Sequence, residues 1–117
     1  MSITVFGAAF DARDAATIAR FWADALGRQV ADGASPDHAV VKAGDSASFG
    51  PRLAFHRVPE PKTVKNRFHL DLITTDYEAE TARLVALGAT ILNTIDNGAR
   101  WTTLADPEGN EFDLIAS

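Results

Sequence analysis

The order of elements in this 117-residue chain runs twice. Ile3 to Phe10 is β-branched, aromatic and small, as a strand requires, and the polar cluster Asp11-Ala12-Arg13-Asp14 closes it. From Asp14 onward Ile18, Phe21, Trp22, Ala25 and Leu26 fall on one stripe of an α-helix, which Asp14 is placed to cap and Gly27 to stop. Three short strands are predicted next, around Arg28 to Ala31, His38 to Lys42 and Arg52 to Val58. Residues 59–66, rich in Pro and charge and without apolar period, read as a linker. Then the sequence starts again. Arg67 to Thr74 alternates like a strand, and Thr75-Asp76-Tyr77-Glu78 has the spacing of a capping box for a helix ending at Leu87-Gly88. Ala89 to Ile95, Arg100 to Ala105 and Glu111 to Ala116 supply three further strands, and Asp106-Pro107-Glu108-Gly109 has the residue order of a type I turn.

Two β-α-β-β-β modules, 3–58 and 67–116, are therefore expected to form a single α+β domain. A module of about 60 residues buries only some 60% of the surface its unfolded chain exposes, so each needs the other, and two modules pairing their sheets is the natural outcome.

Composition narrows the function. Sixteen acidic against eleven basic residues give a net charge of −5, which repels phosphodiester backbones and anionic lipid, so neither nucleic acid nor a membrane is expected as a partner. With no Cys there is no thiolate nucleophile and no Cys-ligated metal; any metal must use His, carboxylate, amide or backbone donors. The first residues lack the basic start of a signal peptide and no apolar run approaches about 18 residues, so a cytoplasmic location is expected. Phosphate-cradling glycine patterns, nucleophile elbows and metalloprotease helix motifs are missing too.

Period-two alternation divides each strand into a face toward its helix and a face away from it. Phe68, Leu70 and Leu72 are expected on the helix side, with Arg67, His69 and Asp71 opposite; likewise Phe112 and Leu114 against Glu111 and Asp113, and Leu53 and Phe55 against Arg52, Ala54 and His56. A curved sheet would gather His69, Asp113 and His56, imidazoles and a carboxylate that suit a divalent metal of borderline softness. A solvated sheet face is the competing reading. Trp22 belongs to the core stripe, and His38 reads as an ordinary surface residue. Trp101 has two readings, an indole lining the concavity or packing at its rim. Arg57, Lys62, Lys65 and Arg67 form either an anion-attracting cluster or a solvated linker.

The doubled layout, together with Phe21-Trp22-Ala23-Asp24-Ala25-Leu26-Gly27, Arg67-Phe68-His69-Leu70-Asp71-Leu72, Leu87-Gly88-Ala89 and Asp106-Pro107-Glu108-Gly109-Asn110-Glu111-Phe112, resembles the vicinal oxygen chelate superfamily, and within it the small glyoxalase-like proteins. The resemblance implies a cup-shaped mixed sheet with helices outside, a homodimer, and a small-molecule ligand. In metal-dependent members each module offers a ligand from its first and last strands. His69 and Asp113 match the second-module positions, whereas Gly7 and Ala54 stand at the first-module ones and carry no donor.

Two functions follow as expectations. One is lyase, isomerase or dioxygenase-type chemistry on a substrate with vicinal oxygens, with Zn, Ni, Fe or Mn on His69, Asp113 and His56, and Glu111 or Asp71 as base. His56, Trp101 and Arg67 would contact substrate. The other is a metal-free binder of the antibiotic-sequestering kind, favoured by Gly7 and Ala54.

Overall fold

The computed structural model describes residues 2–45 and 50–117. The chain forms two compact units, Met1–Pro61 and Lys62–Ser117.

In the first unit β1 (Gly7–Ala12), α1 (Ala15–Leu26), β2 (His38–Val41) and β3 (Arg52–Arg57) make a three-stranded mixed sheet in the order β1-β3-β2 with a helix against it. The Asp14 carboxylate accepts the Thr17 N–H at 3.2 Å, and Gly27 ends α1 at φ 65°, where a side chain would be strained. The apolar stripe is buried as its spacing dictates. Ile18, Phe21 and Trp22 are buried where α1 packs on β3, as are Leu53 and Phe55, the helix-side pair of that strand. Phe10 stacks on Phe55 with ring centroids 4.9 Å apart, and Phe21 meets Trp22 edge-on at 5.4 Å.

The second unit contains β4 (Asp71–Thr74), α2 (Tyr77–Leu87), β5 (Thr90–Asp96), β6 (Arg100–Ala105) and β7 (Glu111–Ala116), with sheet order β4-β7-β6-β5. Leu84, Leu104, Phe112 and Leu114 fill its core, and the Tyr77 hydroxyl bonds the buried Thr102 hydroxyl. The turn at Asp106 closes as its sequence requires. Gly109 N–H donates to the Asp106 carbonyl at 2.8 Å with Gly109 at φ 89°, while the buried Asp106 carboxylate accepts the Glu108 and Asn110 N–H groups.

The duplication is real in three dimensions. In each unit the first strand runs parallel to the last and the middle strand is antiparallel to it. The predicted strand Arg28 to Ala31, counterpart of β5, is reduced to one bridge between Val30 and Val41.

Three local expectations are corrected. Residues 3–6 are not strand: β3 begins at Arg52, opposite Gly7, and Pro51 before it has no N–H to extend the ladder, so Ile3, Val5 and Phe6 stay exposed. The strand after the linker starts at Asp71 rather than Arg67, and Phe68 is 69% exposed instead of facing the helix. There the chain is held by side-chain bonds, Asn66 N–H to the Glu111 carboxylate at 2.8 Å, in place of a ladder. The capping box does not form: Asp76 is the N-cap, and Glu78 is drawn to Arg100 at 2.6 Å. That ion pair holds the Glu78 carboxyl below its ordinary range, the Arg100 hydrogen bond being the main cause. Two of the basic residues flanking the linker are ion-paired, Arg57 with Asp37 and Lys62 with Glu111.

One glycine is fixed by close approach. A Cβ on Gly7 would lie 2.7 Å from both the Cγ and the carbonyl oxygen of Arg52, and the latter belongs to the backbone of β3 and cannot swing away. Gly7→Ala is therefore expected to lower stability by about 1–3 kcal/mol, as overpacking does, read as a fall in the urea midpoint.

Candidate functional site

The second unit's sheet carries its chemistry on the face turned from α2. Residues paired across neighbouring strands share a face, so the register defines rows. One row is Asp71, Asp113, Thr103 and Asn93; the adjacent row is Ile73, Ile115, Trp101 and Ile95. A polar strip thus lies beside an apolar one. Trp101 is half-buried in the latter, flanked by Ile115 and Ile95.

At the edge of the polar strip three donors converge. One ligand atom each from His69, Asp71 and Asp113 lies within 4.8 Å of the others. His69 Nδ1 sits 3.1 Å from an Asp71 carboxylate oxygen, which fixes the imidazole and leaves Nε2 for another partner. The Thr103 hydroxyl donates to Asp113 Oδ1 at 2.6 Å and orients that carboxylate. The parallel pairing of β4 with β7 brings Asp71 opposite Asp113, and Asp113 N–H donates to the Leu70 carbonyl at 3.0 Å to lock the register. One imidazole and two carboxylates form an N,O donor set that fits Mn, Fe or Zn.

Glu111 is placed differently. Its carboxylate accepts Lys62 Nζ at 2.7 Å and the Asn66 N–H at 2.8 Å, and its carbonyl accepts the Asn66 side-chain amide at 3.2 Å. Burial works to raise its pKa, but the Lys62 and Asn66 hydrogen bonds outweigh burial and hold the carboxyl below its ordinary range. Glu111 ties the entry of the unit to its last strand. Arg67 is exposed in the bend before β4.

His56 belongs to the first unit, where its ring lies 4.9 Å from that of His38, its partner across β3 and β2. Asp11 flanks it on β1. The donor cluster lies wholly within the second unit. Counting back seven residues from the helix caps Asp14 and Asp76 gives Gly7 and His69; counting five gives Ala9 and Asp71. The ladder partner of Ala9 is Ala54, and that of Asp71 is Asp113. The duplication thus sets Gly7, Ala9 and Ala54 where the other copy carries its donors. Sequence reasoning missed Thr103 as the group that orients Asp113, although its alternation with Trp101 and Ala105 placed it on that face.

Because the Glu111 pKa is depressed in the folded state, its contribution to stability is complete above the ordinary carboxylate pKa of 4.5 and is lost as pH falls through the lowered folded value. Glu111→Gln should cost about 1–2 kcal/mol at pH 7, and less as the pH drops below about 4, when denaturation curves of the two proteins are compared.

A family model described as a glyoxalase-like domain matches residues 7–115. No curated protein sequence matches the chain. Among solved structures, the fosfomycin resistance protein FosX from Mesorhizobium loti superposes with a TM-score of 0.76 at 15% identity, covering 100% of this chain and 94% of that one. FosX from Listeria monocytogenes, as a point mutant complexed with Mn(II) and a dihydroxypropylphosphonic acid, gives 0.76 at 13% identity, covering 100% and 92%. The bleomycin-binding protein of Streptomyces verticillus, complexed with copper(II)-bleomycin, gives 0.65 at 22% identity, covering 100% and 99%. The repeated modules, the parallel pairing of first and last strands and the family match over nearly the whole length agree: this chain belongs to the glyoxalase-like domain family of the vicinal oxygen chelate superfamily.

Proposed function

We propose that this protein binds a small organic molecule with the help of a divalent cation held by His69, Asp71 and Asp113. The observation that carries this reading is the convergence of those three donors within 4.8 Å on one sheet edge. The Mn(II) in the Listeria FosX complex supports it. A cation bound there would act as a Lewis acid, stabilising an oxyanion developing on a substrate with neighbouring oxygens.

The chain's own residues prepare that chemistry. Asp71 aims His69, Thr103 orients Asp113, and the strip of Ile73, Ile115, Trp101 and Ile95 offers an apolar bed beside the donors for the substrate's carbon skeleton. Lys62 and Asn66 occupy the Glu111 carboxylate, which leaves it poorly placed to accept a substrate proton, and Asp71 serves here as a ligand rather than as a base. Lyase, isomerase or dioxygenase-type turnover is the reaction class this arrangement serves.

A second reading is a metal-free binder, comparable in role to the bleomycin-binding relative. Gly7 and Ala54, which offer no donors, favour it. Titration with Mn(II), following the free ion by electron paramagnetic resonance, decides between them. One ion bound per chain, and loss of that binding in His69→Ala/Asp113→Ala, is the expected result. Equal Mn(II) affinity in both proteins would remove the cation from the proposal and leave the metal-free binder.

A second copy of the chain is the macromolecular partner we propose, since β5 is an edge strand of the second unit's sheet and its Ile91 and Leu92 are about half exposed. Sedimentation equilibrium should return twice the 12.5 kDa chain mass; a mass that stays at one chain at high concentration rejects the dimer.

A further inference from the structure

The first unit carries a concavity of about 490 Å³ on the sheet face turned from α1. Its floor is Gly7, Ala9 and Ala54, the positions where the duplicated copy holds His69, Asp71 and Asp113. No side chain on this floor extends beyond Cβ. Val5 and Phe6 form one wall, and both are more than three-quarters exposed.

The two ends are polar. Arg52, Ala54 and His56 alternate on β3 and share this face, so Arg52 and His56 stand about 13 Å apart with Ala54 between them. The Arg52 guanidinium lies 4.6 Å from the Phe6 ring centroid, held over the aromatic face. No carboxylate pairs with it among the described residues. This contrasts with Glu111, which stands at the same place in the second unit, two residues before the ladder partner, and is neutralised by Lys62. His56 closes the far end beside His38 and Asp11 with a group able to donate or accept one hydrogen bond.

We infer that this concavity is a ligand site for a flat, elongated organic monocarboxylate, with Arg52 anchoring the carboxylate and His56 meeting a polar atom at the other end. The inference deepens the proposed small-molecule binding by assigning the ligand class of the first unit, and it does not depend on the cation at His69. A guanidinium presents two parallel N–H donors that match a carboxylate. A floor of Cβ atoms and glycine backbone admits a planar body at close range, and the Phe6 ring gives its edge an apolar neighbour. Among the described residues lining the concavity Arg52 is the one with a fixed positive charge, and one guanidinium balances one negative charge rather than the two of a phosphate monoester.

The test uses 15N-labelled full-length protein in chelator, titrated with 2-naphthoate and separately with the neutral 2-naphthamide. Saturable shifts of the Gly7, Ala9 and Ala54 amides with naphthoate are expected, with affinity in the range of about 0.1–1 mM. Naphthamide should bind about tenfold more weakly, and so should Arg52→Gln, while Arg52→Lys, which keeps the charge and loses the fork, falls between. The comparison of the two ligands on unaltered protein stands even where a variant misfolds. Equal binding of acid and amide, shifts centred on Thr103 and Asp113, or no saturable shift with naphthoate up to about 5 mM would each overturn the assignment. Since the titration is run without metal, its failure leaves the Mn(II) result untouched, and failure of the Mn(II) titration leaves this one standing.

Discussion

Every arrangement with chemical content in this protein depends on the parallel pairing of the first strand of a module with its last. Parallel strands cannot be joined by a tight turn, so each module spends its helix and middle strands on the crossover and returns its last strand to the centre of the sheet. Residues far apart in sequence then become lateral neighbours, Asp71 beside Asp113 in one unit and Ala9 beside Ala54 in the other. The donor cluster is local to neither strand. It exists because the register of β4 on β7 is fixed, by the Asp113 N–H to Leu70 carbonyl bond at one end and the Ser117 N–H to Thr74 carbonyl bond at the other.

The sequence was most informative where periodicity and punctuation agreed. Asp14, the stripe of Ile18, Phe21 and Trp22, and Gly27 bound α1 as read, and Asp106 to Gly109 close their turn as read. It misled where a residue's composition suited a strand but no partner strand was within reach. Ile3, Val5 and Phe6 have strand-like side chains, yet β3 begins only at Arg52, opposite Gly7, and Pro51 before it offers no N–H to a ladder. Phe68 was assigned to the helix face by alternation, but alternation holds only inside a ladder, and at Phe68 the chain is still being steered by the Asn66 and Glu111 bonds. Alternation placed Asp71 and Asp113 on a common face, as the register has them, while His69, which precedes β4, joins them through its contact with Asp71. What no pattern could show was that the Glu111 carboxylate is already engaged, because Lys62 and Glu111 are distant in sequence and meet only once the unit has folded.

The two modules share a backbone plan and divide the polar work. One keeps an imidazole and two carboxylates; at the matching place the other keeps bare backbone and methyl groups, and where Glu111 stands it carries Arg52. At those equivalent positions the second unit's acidic Glu111 is held by Lys62, whereas the first unit's Arg52 lies over the Phe6 ring. The departure from the four-ligand pattern has a structural counterpart: the short side chains of Ala9 and Ala54 leave the floor of the concavity open, while the space beside Gly7 is taken by Arg52.

Gly7 gives that division a direction. With the Arg52 carbonyl oxygen occupying the space where its Cβ would go, β1 and β3 have closed on each other to a separation that only hydrogen tolerates. An imidazole at this position would require the strand opposite to retreat, and with it Phe55 and the aromatic stack beneath. The two modules thus share a backbone outline whose side chains are not interchangeable: what stands at His69 in one copy has no room at Gly7 in the other.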